Sequence, residues 1–309
     1  MTADSSTFRI AITGSTGLVG SALVQAFQQA GHRVTRLVRT AEQAKALPNA
    51  ALWKPSTQPT DPSPLEGADI VIHLAGENIA SRWTEKKKRA IRESRVQGTS
   101  ALALAIAHMT SPPRTLLCAS AVGFYGNRGD ERLDESSSQG PPDQFLPGVV
   151  RAWEHACNPA REAGVRIVNL RFGLILSPQG GALGKMLLPF KLGLGGVLGS
   201  GRQWWSWIAM PDVIRAVDFA MRDERLSGPV NVVSPEPVTN RDFTKTLGKV
   251  LGRPTIFPVP AFAARLAFGR QMADETLLSS THVTPAALHA VGFEFTASNL
   301  LIALKAMLR

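Results

Sequence analysis

Between Phe8 and Leu170, short runs of apolar and β-branched residues alternate with longer stretches whose apolar positions recur at helical spacing. That rhythm predicts βαβ units around a parallel sheet. The predicted strands are Arg9 to Thr13, Arg33 to Val38, Ala51 to Trp53, Ile70 to Leu74, Arg114 to Ala119 and Arg166 to Leu170. Helices are expected over Leu18 to Ala30, Glu85 to His108 and Phe145 to Ala163, and the proline-rich stretch Pro55 to Pro64 reads as a surface loop. After Arg171 the rhythm breaks at Pro178-Gln179-Gly180-Gly181 and through Gly193 to Gly201, then returns in a helical stretch, Asp212 to Arg222, and one more strand, Pro229 to Val233. The remainder is helical and broken by prolines, with Asn240 to Leu251 its clearest helix. The expected fold is α/β, a doubly wound parallel sheet over residues 1–175 completed by about 208–233. Residues 176–207 and 234–309 form a small C-terminal substrate lobe.

The first strand runs into Thr13-Gly14-Ser15-Thr16-Gly17-Leu18-Val19-Gly20, a Gly-x-x-Gly-x-x-Gly turn that opens the first helix. Such a turn marks a Rossmann-type dinucleotide site. The first glycine permits the bend, the second lets backbone N–H groups approach a pyrophosphate, and the third lets helix pack on strand. The second strand ends Arg36-Leu37-Val38-Arg39-Thr40 without the acid that would accept from the ribose hydroxyls of NAD. Arg39 suits a 2'-phosphate instead, so NADP(H) is the expected cofactor. Leu74, Ala75 and Gly76 end the fourth strand where the chain would lie against the adenine side, and His73 reads as a strand-end histidine.

Composition narrows the picture. A chain of 309 residues with 44% hydrophobic content can bury a large core, and its charge of +10 comes from basic residues interleaved with acids. The densest cluster, Lys86-Lys87-Lys88-Arg89 with Arg92 and Arg95, reads as a solvated helix face, so no nucleic acid partner is expected. Met186 to Gly201, the longest weakly charged stretch, is interrupted by Lys191 and too short to span a bilayer, so no membrane partner is expected either. The polar start, Met1 to Thr7, lacks a secretory pattern, and a cytoplasmic location is the expectation. Cys118 and Cys157 have no metal-ligand spacing, and no metal site is expected. Nothing in the pattern fixes an oligomeric state.

The glycine turn, the His-Leu-Ala-Gly strand end and a serine in the fifth strand resemble the extended and atypical short-chain dehydrogenase/reductases. Further segments resemble one branch more closely. They are Ala75 to Ala80 with Arg82-Trp83-Thr84, Ala119 to Gly126, Pro189 to Gly196, Gly199 to Gln203 with Ser206-Trp207-Ile208, and Gly292 to Phe295. The chain is similar there to the NAD(P)-dependent epimerase/dehydratase-like family that carries a C-terminal domain of unknown function. The resemblance implies the fold and the cofactor. It also implies a histidine and an acid after Ser-Trp-Ile, where this chain has Ala209 and keeps Asp212.

The chain has a single tyrosine, Tyr125, and Gly129 stands four residues on, so the Tyr-x-x-x-Lys pair of reductases with this turn is absent. By the resemblance that pair would fall on the helix bearing Phe145, Leu146, Val149 and Val150. Ser120 matches the serine that in catalytic relatives hydrogen-bonds the substrate oxygen, and it is a candidate donor. Tyr125 is a candidate pocket wall or displaced acid. Arg202, Trp204 and Trp205, with Trp207, are candidate substrate contacts, since aromatic walls beside an arginine suit a small, possibly anionic molecule. The expected function is redox or epimerase-type chemistry on a small-molecule substrate, and the rival is a non-catalytic, NADPH-dependent regulatory or binding protein.

Overall fold

The computed structural model describes residues 7–55 and 60–308. Part of the proline-rich stretch, Ser56 to Pro59, and the start of the chain, Met1 to Ser6, lie outside the described residues. Seven parallel strands form the central sheet: β1 (Arg9–Thr13), β2 (Arg33–Val38), β3 (Ala50–Leu52), β4 (Ile70–His73), β5 (Thr115–Ala121), β6 (Arg166–Phe172) and β7 (Gly228–Val232). Their spatial order is β7-β6-β5-β4-β1-β2-β3. The chain winds outward from β1 to β3 and then crosses back to β4. The topological switch between β1 and β4 therefore opens a crevice at their carboxyl ends, as in Rossmann-type sheets.

Alternation along the strands splits the core into two layers. Ile10, Ile12, Ile70, Ile72, Leu117, Val168 and Leu170 point to one face and pack on helices α1 (Leu18–Gln29) and Met210–Arg222. Ala11, Leu37, Val71, Leu116, Cys118 and Ile167 point to the other and meet α2 (Glu85–Ala107) and α3 (Phe145–His155) through Leu102, Ile106 and Trp153. With both faces covered, the strands read as nearly continuous apolar runs.

Two differences from the sequence reading have simple causes. The helix expected over Phe145 to Ala163 is two, α3 and a short turn at Asn158–Glu162, because Pro159 lacks an N–H and can only start a new helix. Strands β5 and β6 run on to Ala121 and Phe172, where Ser120 lies beside Arg171 in the ladder. Polar residues there look like loop, yet their backbones pair within the sheet while their side chains bond Glu154 on α3.

Beyond β6 the chain builds α4 (Gly181–Lys191), returns to the core with α5 (Met210–Arg222), and continues through α6 (Asn240–Leu251), α7 (Ala261–Phe268) and α8 (Leu300–Leu308). Phe190, Leu198, Trp205, Trp207, Phe243 and Leu304 make a separate apolar cluster among these elements. Two carboxylates tie this region back to the helices of the core. Asp212, fully buried at the start of α5, accepts from Thr296 N at 2.9 Å, Thr296 Oγ1 at 2.6 Å and Ala297 N at 2.9 Å. Glu275 accepts from Phe145 N at 3.1 Å and Leu146 N at 2.7 Å, capping the first turn of α3.

Candidate functional site

A cleft of about 470 Å³ lies at the switch point, walled by the glycine turn, the ends of β2 and β4, and α2. Its floor is shaped by glycine. Gly14 has φ +66, and a Cβ there would sit 2.7 to 2.9 Å from the backbone of Leu74 and Ala75, so the β1 and β4 exits meet main chain to main chain. A Cβ at Gly20 would come 2.2 Å from Gly14 O, which fixes the third glycine as the place where α1 crosses the turn. Gly17 stands at the N-cap of α1, which has no side-chain cap and no acid in its first turn. The uncapped first turn and the positive end of the helix dipole would favour an anion there. Ser15 adds a buried hydroxyl without a hydrogen-bond partner. These features fit the phosphates of a dinucleotide.

Of the residues picked from sequence, Gly14, Ser15, Thr16, Gly17, Arg39, Leu74, Ala75 and Gly76 lie on the cleft wall. Leu18 and Val19 instead pack their side chains against the core. Exposed Arg39 shares one end of the cleft with Val38, Gln43 and buried Trp53. Trp53, Gln43, Glu77, Ser94 and Gln97 were not singled out from sequence. For Ser94 and Gln97 the signal was masked, because they share α2 with the basic cluster and that helix reads as solvated.

Around the β4 exit the polar groups are ordered. Thr13 Oγ1 accepts from Leu74 N at 3.1 Å and Ala75 N at 3.3 Å, so its own proton is left for His73 Nδ1 at 2.7 Å. His73 then carries its proton on Nε2, which is buried without a partner, and burial pulls the imidazole down to about 4. It is a neutral strut. Glu77 bonds Lys87, which holds its carboxyl below the usual range, with Arg39 and Arg95 adding to the effect. Arg95 donates to Glu77 O at 3.0 Å and lies 5.0 Å over the Trp153 ring, and burial lowers it to about 10.

Ser120 and Tyr125 belong to a different assembly, and neither lines the cleft. Ser120 Oγ donates to Glu154 Oε1 at 2.6 Å, and Arg171 grips the same carboxylate through Nε at 2.8 Å and a terminal nitrogen at 2.9 Å. Another nitrogen of Arg171 donates to Tyr125 Oη at 3.0 Å, and that hydroxyl donates to Asn231 Oδ1 at 2.8 Å. Arg171 stacks 3.6 Å over Phe124. Tyr125 is fully buried, and burial pushes its phenol up to about 12. Where the reductase pair would fall, Phe145, Leu146 and Val149 pack with Trp83, Ile91 and Met272.

The tryptophans are distributed among packing roles. Trp205 packs edge-on to Phe243, and fully buried Trp207 donates to Glu236 O at 2.8 Å. Trp204 stacks on His282 at 4.1 Å and donates to Asp130 at 2.9 Å. Arg202 is exposed. None of Arg202, Trp204 and Trp205 lines the cleft.

Residues 10–233 match the model of the NAD dependent epimerase/dehydratase family, and residues 259–307 match a domain of unknown function, DUF1731. An epimerase family protein of Mycobacterium bovis is 44% identical over 287 residues, 93% of each chain. Among solved structures, human epimerase family protein SDR39U1 (isoform 2) with NADPH superposes with a TM-score of 0.88 at 34% identity, over 97% of this chain and 98% of that one. A nucleoside-diphosphate sugar epimerase of Corynebacterium glutamicum gives 0.81 at 39% identity, over 99% of this chain and 59% of that one.

Proposed function

The chain belongs to the NAD dependent epimerase/dehydratase family, and from that premise we propose that it binds NADP(H) in the switch-point cleft and passes hydride between the nicotinamide and a small molecule. The observation that carries the cofactor choice is Arg39. It stands on the cleft wall just after β2, where an NAD site would place an acid for the ribose hydroxyls. The similar human protein solved with NADPH supports the same choice. When bound, the cofactor supplies the hydride. Gly14 and Gly17 would let the backbone approach its phosphates, the α1 N-terminus would offset their charge, and Arg39 would hold the 2'-phosphate. Ser120 and Tyr125 hold Arg171 and Glu154 in a network away from this cleft.

NADPH is expected to bind at least about tenfold tighter than NADH, about 1.4 kcal/mol, and Arg39→Asp should erase or reverse the preference. Equal titration curves for the two cofactors in the unmodified protein would sink the assignment. Hydride transfer is tested by following nicotinamide absorbance against carbonyl compounds and sugar nucleotides. One observation favours a second reading, a regulatory or binding protein that uses NADPH without turnover: α3 offers only Phe145, Leu146 and Val149 where a proton donor would stand. Tight cofactor binding with no turnover across the panel would select it.

A further inference from the structure

We propose that the outer face of the C-terminal lobe is a landing surface for an anionic lipid bilayer. Leu188, Leu192, Leu194, Phe257, Phe262 and Leu266 are between 57% and 74% exposed. Large apolar side chains this exposed, gathered on two neighbouring segments, mark an interaction site rather than ordinary surface. The two segments are joined: Leu198 bridges Val259, Gly199 N donates to Val259 O at 2.8 Å, and Val259 N donates to Val197 O at 2.8 Å. On their inner side Phe190, Leu198 and Ala264 share one buried cluster. Leu188 and Leu192 at the end of α4, and Phe262 and Leu266 on α7, are each four residues apart and so project from one side of their helix.

Charge decides the occupant. Residues 181–202 and 253–272 contain Lys185, Lys191, Arg202, Arg253, Arg265 and Arg270 and no Asp or Glu. Of the two acids that follow, Asp274 is taken by Arg265 at 2.7 Å and Arg270 at 3.7 Å, and Glu275 by the backbone of Phe145 and Leu146. A second copy seated on this face would set cations against cations. An anionic bilayer satisfies both features, since apolar side chains enter the acyl boundary while Lys and Arg meet lipid phosphates. The expectation of no membrane partner rests on the lack of a spanning segment, and among the described residues no helix is long and apolar enough to cross a membrane. Attachment at the surface needs none.

The test is co-sedimentation of the full chain with vesicles of phosphatidylcholine alone or mixed with phosphatidylglycerol. Binding should be confined to the anionic vesicles and fall about tenfold or more when salt is raised to shorten the screening length. The triple change Leu188→Gln, Phe262→Gln, Leu266→Gln, and separately Lys185→Glu with Lys191→Glu, should each abolish it while NADPH titration stays unchanged. That control shows that the variants are folded. Failure of the unmodified protein to bind anionic vesicles at low salt overturns the proposal, as does equal binding to neutral vesicles. Self-association in sedimentation velocity that the apolar triple change abolishes, without vesicle binding, assigns the face to a second copy instead.

Discussion

His73 is wholly buried and neutral, with Nδ1 accepting from Thr13 and Nε2 facing no partner. Its folded value, about 4, lies below the ordinary 6.5, so the unfolded chain takes up a proton that the native chain refuses. Stability is therefore lost as pH falls from about 6.5 toward 4, by about 3 kcal/mol if the whole interval is realised. Urea midpoints across that window should drop for the unmodified protein and drop less for His73→Gln. Parallel slopes would show that His73 does not govern the acid limb. At this scale the glycine turn was legible, because only its spacing lets Gly14 touch Leu74 and Gly20 touch Gly14. The roles of Ser120 and Tyr125 were not. Their hydroxyls are claimed by Glu154 and Arg171, which lie 34 and 46 residues further along, and no local pattern announces such partners.

Helix α3 shows how an element can be complete only through another. Its N-cap residue, Gln144, makes no side-chain cap, and Glu275 supplies the acceptor from the distant π-helical turn Ala273–Leu277. A carboxylate there satisfies two first-turn N–H groups and opposes the helix dipole. Glu275→Ala should cost about 1 to 2 kcal/mol, measured by chemical denaturation, with Glu275→Gln intermediate. An unchanged midpoint for the alanine variant would mean water caps the turn equally well. Strands β1 and β2 and helix α6 were legible to the residue, because apolar periodicity and Gly or Pro punctuation agree there. The cap was beyond sequence reasoning: Glu275 and Leu146 are 129 residues apart, and neither belongs to a recognisable motif.

On the scale of the molecule, the chain carries a formal charge of +10, and the cofactor proposed for the cleft is anionic. Attraction through the summed field raises encounter rates and is screened by salt. Stopped-flow binding of NADPH should slow several-fold between low and physiological ionic strength, with dissociation changing much less. An association rate indifferent to salt would remove steering from the account. The α/β core was legible as a whole, since repeated βαβ units leave few topologies open. The packing roles of Trp204, Trp205 and Trp207 were not, because an aromatic cluster reads alike as pocket or as core until its neighbours are known. The buried carboxylate of Asp212 carries a further consequence, for the moment of synthesis. A ribosome delivers Asp212 long before Thr296 and Ala297, which stand 84 and 85 residues later. Until those residues emerge, the first turn of α5 has a carboxylate that cannot be buried without losing its solvation. The first turn of α5 therefore closes only after Thr296 and Ala297 have emerged, and products released before that point are left open to quality-control proteases.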